Sequence, residues 1–398
     1  MKFLHDLFEK QRPLFEKGGK FEKYYYLFEA QETFVFTPPS VTKPKGAQIK
    51  DAVDLKRLMI TVLIAMIPCL IFGLWNAGHQ HFLAIGEAEA SFMDKMLLGL
   101  RYGLPIIIVS YLSGGLVEML FTVLRKHPLT EGFLVTGMLI PLVLPITIPL
   151  WQVAFATIFA VVIAKEVFGG VGMNILNVAL TARAFLYFAY PAEISGDTVW
   201  TFIGEGQQMV DGFTGATFLG LAAGASTEGV NVLDAVASWN GGMYEFNSLF
   251  LGTIPGSIGE TSALMCLIGA LVLILTRVGS WKIIFSVFVG AYVGGLIFNA
   301  FGANTFMQLP AHYHLVIGGL AFGAVFMATD PVTASQTEKG KWIYGFLIGI
   351  LTVIIRVFNP AYPEGIMLAI LLMNVFAPLI DFYVIKANKT RRLQRATV

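Results

Sequence analysis

Phe155 to Leu180 reads FATIFAVVIAKEVFGGVGMNILNVAL, and Phe346 to Leu371 reads FLIGILTVIIRVFNPAYPEGIMLAIL. In each copy an apolar helix ends on Val-Phe, crosses a Gly- or Pro-rich turn and enters a second apolar helix. A membrane-spanning helix needs roughly 20 mainly apolar residues. About ten such segments are read, near 58–76, 103–124, 132–149, 151–168, 175–190, 263–277, 283–302, 313–329, 342–358 and 365–385. The first copy is the fourth and fifth of these, and the second copy is the ninth and tenth. An offset of five spans is odd, so the copies run through the membrane in opposite orientations. Any two helical hairpins share this plan; a coincident register of the Val-Phe turn is the ground for expecting these two to be related. Inverted repeats with broken helices mark transport proteins, with sites near the repeat interface. Pro141 and Pro145 interrupt the third span, and Gly318, Gly319 and Gly323 loosen the eighth. Non-helical backbone at membrane depth is tolerated only where protein or a cavity covers it, so both segments are candidates to line a pathway.

Composition agrees with this class. The chain is 56% hydrophobic and 13% charged, with a mean hydropathy of +0.70, against roughly 25% charged residues in a soluble domain. The fold class expected is an all-α integral membrane protein. A net charge of +1 and the absence of a basic patch with interleaved aromatics leave no case for nucleic acid as a partner. Cys69 and Cys266 lie inside apolar runs with no metal-ligand or disulfide spacing. The first 56 residues are polar and aromatic and carry Lys2, Lys10, Arg12, Lys17, Lys20 and Lys23, which suits a cytoplasmic arm without a cleavable signal.

Basic residues collect on the cytoplasmic side of membrane proteins. Arg125-Lys126, Lys165, Arg277 with Lys282, Lys339 with Lys341, and the tail from Lys386 to Arg395 all fall inside if the N-terminus is inside. Lys95, Arg101 and Arg356 are exceptions. From Tyr190 to Thr276 there is no Lys or Arg, while Glu193, Asp197, Glu205, Asp211, Glu228, Asp234, Glu245 and Glu260 are present. That connection therefore faces outward. The organisation expected is a cytoplasmic arm 1–57, a five-helix repeat 58–190, an extracytoplasmic loop 191–262, a second five-helix repeat 263–385 and a basic cytoplasmic tail 386–398.

Ionisable groups inside spans are costly and point to function. Glu118 lies in the second span one turn beyond Gly114-Gly115, surrounded by apolar residues. Asp330 ends the eighth span, Asp381 sits late in the tenth, and Arg183 lies mid-way along the fifth. Asp330 and Asp381 have an alternative reading as helix ends in interfacial water, and Arg183 one as the partner of a carboxylate within the bundle. Gly114-Gly115 permits either close helix packing or room for a flat ligand. In the outward loop, Asp211-Gly212-Phe213-Thr214-Gly215-Ala216-Thr217 offers a tight Gly-containing turn and two uncrowded hydroxyls, or an ordinary polar hairpin.

This last motif resembles the flavinylation motif, Ser/Thr-Gly-Ala-Thr, of membrane subunits that carry covalent FMN. Lys165-Glu166-Val167-Phe168-Gly169-Gly170, Asp330-Pro331-Val332-Thr333-Ala334 and Asn359-Pro360-Ala361-Tyr362-Pro363-Glu364-Gly365 look like further signatures of the same family. The run Asp51-Ala52-Val53-Asp54-Leu55-Lys56-Arg57 is similar but less specific. Along nearly its whole length the chain resembles the B-subunit family of the sodium-translocating NADH:quinone oxidoreductase, with the paralogous D subunits of the Rnf complex next.

The resemblance implies a urea-channel-like fold of ten helices in two inverted repeats. It implies FMN joined through its phosphate to the Thr217 hydroxyl, with Asp211, Gly212, Thr214, Gly215 and Ala216 completing the motif. The family's flavin transferase acts outside the cytoplasm, where the charge pattern independently puts this loop. A non-covalent riboflavin is implied near Asn174 and Asn177, which at i and i+3 share one helix face and whose amides both donate and accept; Val178 replaces a proline frequent at that point. Quinone is implied near Gly114 and Gly115, and Glu118, Asp330 and Asp381 become the ion path. The implied activity is that of a translocase: electrons pass from FMN by way of riboflavin to ubiquinone, coupled to export of sodium ion. The implied partners are the A, C, D, E and F subunits and membrane lipid, in a bacterial inner membrane. An Rnf-type electron-transport subunit, a passive solute channel on the same fold and a structural scaffold are the competing readings. A channel needs no flavin-acceptor loop, and a scaffold needs no Glu118 in an apolar span.

Overall fold

The computed structural model describes residues 2–36, 55–87, 89–126, 132–204, 206–211, 213–237, 239 and 242–396. Asp51 to Asp54, Glu205 and Gly212 lie outside the described residues. The chain begins with a hairpin of α1 (Lys2–Phe15) and α2 (Tyr25–Val35). Phe15 stacks on Phe28 at 4.7 Å between ring centroids and Arg12 pairs with Glu32, which holds the hairpin closed.

The first five expected spans appear as α3 (Leu55–Ala84), α4 (Phe92–Arg125), α5 (Gly132–Leu142), α6 (Leu150–Ala160) continued by a π-helix at Val161–Glu166, and α7 (Val178–Ala189). The acidic connection is partly helical, with α8 (Pro191–Ile194), α9 (Phe218–Glu228), α10 (Val232–Ala237) and α11 (Phe246–Leu251). The second set is α12 (Ala263–Leu275), α13 (Trp281–Phe301), a broken segment, α15 (Glu338–Phe358) and α16 (Ile366–Ala396). The broken segment is a 3-10 turn at Tyr313–Leu315, then α14 (Leu320–Phe322), then a π-helix at Gly323–Met327. Helices α3, α4, α13, α15 and α16 are long and apolar enough to cross a membrane; α5, α7 and α12 are shorter and apolar. No strand occurs among the described residues. This is an all-α multi-pass membrane protein, and the third and eighth spans are broken where Pro and Gly interrupt them.

Packing repeats with a shift of five spans. The contacts α4–α6, α6–α7, α3–α5 and α5–α7 recur as α13–α15, α15–α16, α12 with the broken segment, and the broken segment with α16. The halves meet through α3–α12 and α7–α16, pairs that a two-fold relation maps onto themselves. Cys69 and Cys266 face each other across the first of these seams with sulfurs 3.8 Å apart, both free thiols. The Val-Phe register of the two copies differs by one residue when they are aligned on Phe155 and Phe346. A π-turn accommodates one extra residue in a helix, and of the two copies only the first carries one before its Val-Phe.

The last part of the acidic connection folds back into the bundle. Ile258 and Gly259 donate their amides to the carbonyls of Leu144 and Leu142, at 3.1 and 2.7 Å. These bonds satisfy carbonyls beside Pro145 where the helix has ended, so the broken third span is covered by protein.

Candidate functional site

Thr217 is the N-cap of α9: its backbone is extended and its Oγ1 accepts from the Gly220 amide at 3.3 Å. The hydroxyl is thus held at the positive end of a helix, where backbone N–H groups suit an anion. The turn before it is fixed from three sides. Ala216 N donates to Thr214 Oγ1 at 3.3 Å, the buried Tyr244 hydroxyl donates to the Ala216 carbonyl, and Tyr244 meets Phe218 edge to face. Burial pushes the Tyr244 phenol well above its ordinary pKa, so it remains a donor. Gly215 is required for close approach rather than for a special dihedral: a Cβ there would stand 2.5 Å from the Asp197 carbonyl oxygen. Asp211 is exposed at the turn.

The two threonines face different cavities. Thr214 and Gly215 line one of about 750 Å³ with Arg101, Asp197 and Phe202. Thr217 lines one of about 170 Å³ with Arg183, Tyr187, Trp200 and Glu364. Arg183 pairs there with two carboxylates, Glu260 at 2.6 Å and Glu364 at 3.4 Å, and Ser257 donates to Glu260 at 2.5 Å. The expected carboxylate partner of Arg183 is thus a pair, one from the acidic connection and one from the turn of the second copy.

On the other side of the bundle, Asn174, Asn177, Lys165, Thr136 and Asp330 line a common cavity beneath α3 and α5. The shared helix face expected for Asn174 and Asn177 is not formed. Gly169, Gly170 and Gly172 all take positive φ, which an α-helix excludes, and α7 starts only at Val178. Asn177 instead N-caps α7, its Oδ1 accepting from Leu180 N at 3.1 Å, and its backbone N donates to Asn374 Oδ1 at 3.1 Å. Asn174 Nδ2 donates to the Leu176 carbonyl at 3.1 Å. The two residues still converge, through the turn and not through helical periodicity. Asp330 accepts from Val332 N at 3.1 Å and Thr333 Oγ1 at 3.0 Å.

Glu118 lies on the buried stripe of α4 with Ser110, Gly114 and Thr122, while Leu112, Leu116 and Leu120 cover the opposite face. It pairs with Lys165 at the end of the π-helix, not with Arg183; both side chains are at most 5% exposed. Next to Lys165, Glu166 pairs with Arg125 at 3.5 Å. At Gly114 a side chain would collide with the Phe133 ring, while Gly115 keeps 3.9 Å from it. Asp381 sits in a different setting from Glu118. It accepts from Ser335 Oγ, Gln336 N, Thr337 N and Thr337 Oγ1 at 2.6–3.0 Å, fastening α16 to the start of α15.

Lys165, Tyr244 and Glu260 join the site although the sequence analysis gives none of them a site role, Lys165 entering only as a charge and as part of a family signature. Lys165 reads there as a cytoplasmic charge; that it falls inside an apolar run is the signal that could have found it. Glu260 counts among the outward loop charges, yet it is 6% exposed. Nothing in the sequence marks Tyr244.

The chain matches the model described as the NQR2, RnfD, RnfE family over residues 42–390. It is 49% identical to the B subunit of the Na(+)-translocating NADH-quinone reductase of Chromohalobacter salexigens, covering 98% of this chain and 96% of that relative. It is 49% identical to the protein of the same description from Ectopseudomonas mendocina, with 96% of each chain covered. The corresponding figure for Pseudomonas paraeruginosa is 46%, over 98% of this chain and 99% of the relative.

Proposed function

The chain belongs to the NQR2, RnfD, RnfE family, and from that membership we propose that it takes covalent FMN on Thr217 and riboflavin beside Asn174 and Asn177 for its work. It is a membrane subunit of the sodium-translocating NADH:quinone reductase. The finer reading is passage of electrons toward ubiquinone coupled to sodium export, in a bacterial inner membrane with both termini cytoplasmic and residues 191–262 outside. The A, C, D, E and F subunits would be its partners.

The observation that carries the flavin reading is the setting of Thr217. A phosphoester needs an open hydroxyl and a place for negative charge. Thr217 supplies the first at the rim of a cavity, and the N-terminus of α9 supplies the second. Tyr244 and Gly215 hold the turn that aims it. On the opposite side, Asn177 uses its amide oxygen to cap α7, which leaves its NH2 group to serve the cavity it lines. Such an amide suits the carbonyl edge of an isoalloxazine. When bound, the flavins supply the electron-transfer chemistry, while the protein supplies position and electrostatics. Quinone would lie against Gly115, with Phe133 turning aside to uncover Gly114. Glu118 and Asp330 would carry the cation, with Asp381 holding the helix junction beside Asp330.

In-gel fluorescence of the denatured chain tests the attachment. Thr217→Ala should abolish it and Thr214→Ala should retain it; flavin persisting on Thr217→Ala would move the site. A reporter fused near Gly220 should behave as extracytoplasmic, and one fused after Arg395 as cytoplasmic. A cytoplasmic signal near Gly220 would reverse the orientation.

A further inference from the structure

The seam between α4 and the α6–π segment contains more polar groups than its hydrogen bonds use. Glu118 and Thr122 sit one turn apart on α4, and Thr157 stands on α6, its methyl 3.0 Å from where a Cβ at Gly114 would be. Thr122 and Thr157 are 1% and 0% exposed, and neither hydroxyl has a hydrogen-bond partner among the described residues. A buried hydroxyl left unpaired is unfavourable and calls for an explanation. Thr122 lies one turn beyond the buried Glu118 on α4, and Thr157 lies across the seam from Gly114, one turn before Glu118. Oxygen ligands of this kind, with one negative charge, are what a hard monovalent cation takes.

The place of that cation is held by a side chain. The Lys165 ammonium lies at Glu118, with the Phe133 ring 5.8 Å away, and Lys165 also lines the cavity that contains Asp330, Asn174 and Asn177. A lysine is a compact charge on a flexible stem of four carbons, so one backbone position serves both places. The π-helix from Val161 to Glu166 shifts the helix register at this point.

We propose that Lys165 is a tethered stand-in for the transported cation. It neutralises Glu118 when no ion is present, and a sodium ion held at the Glu118 carboxylate with the neighbouring Thr122 hydroxyl displaces it toward Asp330. Charge balances in the exchange: the ion takes the ammonium's place beside one carboxylate, and the ammonium moves toward another. Glu118 is then never left uncompensated, which is the costly alternative for a buried charge. This deepens the reading of Glu118 as part of the cation path and rests on it.

The test uses the assembled complex, with two readouts: quinone reduction titrated with sodium, and the sodium-dependent rise in melting temperature. Lys165→Met removes the competitor and keeps the stem. The half-saturating sodium concentration should fall at least threefold, and the sodium-dependent stabilisation should grow. An unchanged or higher half-saturating concentration overturns the proposal. Thr122→Val keeps shape and removes one ligand, so the half-saturating concentration should rise at least threefold; an unchanged value overturns the hydroxyl site. Where Lys165→Met does not assemble, Lys165→Arg serves instead. Its fork grips a carboxylate at two points, so sodium should bind more weakly, and an unchanged titration again overturns the proposal. Glu118→Gln separates the two levels. If it leaves the titration unaltered, the path through Glu118 fails. If it shifts the titration while Lys165→Met and Thr122→Val do not, only the stand-in fails.

Discussion

The α4–α6 seam and the α13–α15 seam occupy equivalent places in the two halves, and they are built from opposite materials. In α13–α15, backbone meets backbone. Side chains at Gly290 and Gly349 would collide with the carbonyls of Phe346 and Val287, and one at Gly345 would stand 2.7 Å from the Ile283 carbonyl oxygen. Small residues that let helices touch in this way make a tight, dry interface in lipid. In α4–α6 the close glycine, Gly114, meets the ring of Phe133 and the methyl of Thr157, and the polar part of the seam is Glu118, Thr122 and Lys165. The basic residue before each Val-Phe differs likewise. Arg356 donates to the carbonyls of His314, Ile317 and Glu364 at 2.8, 2.8 and 3.1 Å, so its fork is committed to fixed backbone. Lys165 binds a side chain. The second seam is a scaffold, and the first is where exchange of partners is physically feasible.

The sharpest way to break this comparison is at the two basic residues. Arg356→Met strands three buried carbonyls at about 1–3 kcal/mol each, so little folded protein should survive extraction and size-exclusion chromatography. Lys165→Met should assemble when sodium is present to compensate Glu118; equal damage from both under that condition would erase the distinction. Next come the glycines. Gly349→Ala forces a methyl against backbone and should cost about 2–3 kcal/mol, read as a lower melting temperature in detergent. Gly114→Ala meets a ring that can turn, so about 1 kcal/mol is expected. Glu118→Gln should leave assembly and flavin fluorescence intact while raising half-saturating sodium severalfold; lost assembly with normal sodium dependence would make this seam a scaffold too. The smallest effect belongs to Tyr344→Phe on α15, which removes one hydroxyl bonded to Asn374 Nδ2 at 2.8 Å. About 1 kcal/mol is expected, with the sodium titration unmoved.

The exceptions to the charge rule show where reading a chain residue by residue stops working. Arg356 breaks the pattern because it is 1% exposed and bound to backbone, so it is no loop charge. Lys95 is likewise buried, at 8%. Arg101 is exposed on α4 and lines the cavity with Asp197. The rule takes every such residue to lie in water at a loop, and burial removes that premise. Asn174 and Asn177 depart from expectation for a different reason. Their spacing fits a helix, but the three glycines with positive φ just upstream end helical geometry before it reaches them.

The helix lengths were not legible in the amino-acid sequence, while the positions of the apolar segments, the two interrupted spans, the internal repeat and the hydroxyl-bearing loop were. They depend on hydropathy, on proline and glycine stereochemistry and on residues adjacent along the chain. Tertiary structure alone decided which charges meet. Lys165 reaches Glu118 across 47 residues, and Arg183 reaches Glu260 and Glu364 across 77 and 181. A buried charge must find a partner wherever packing offers one, and which partner is near is set by how the segments stack, a property of no segment taken singly.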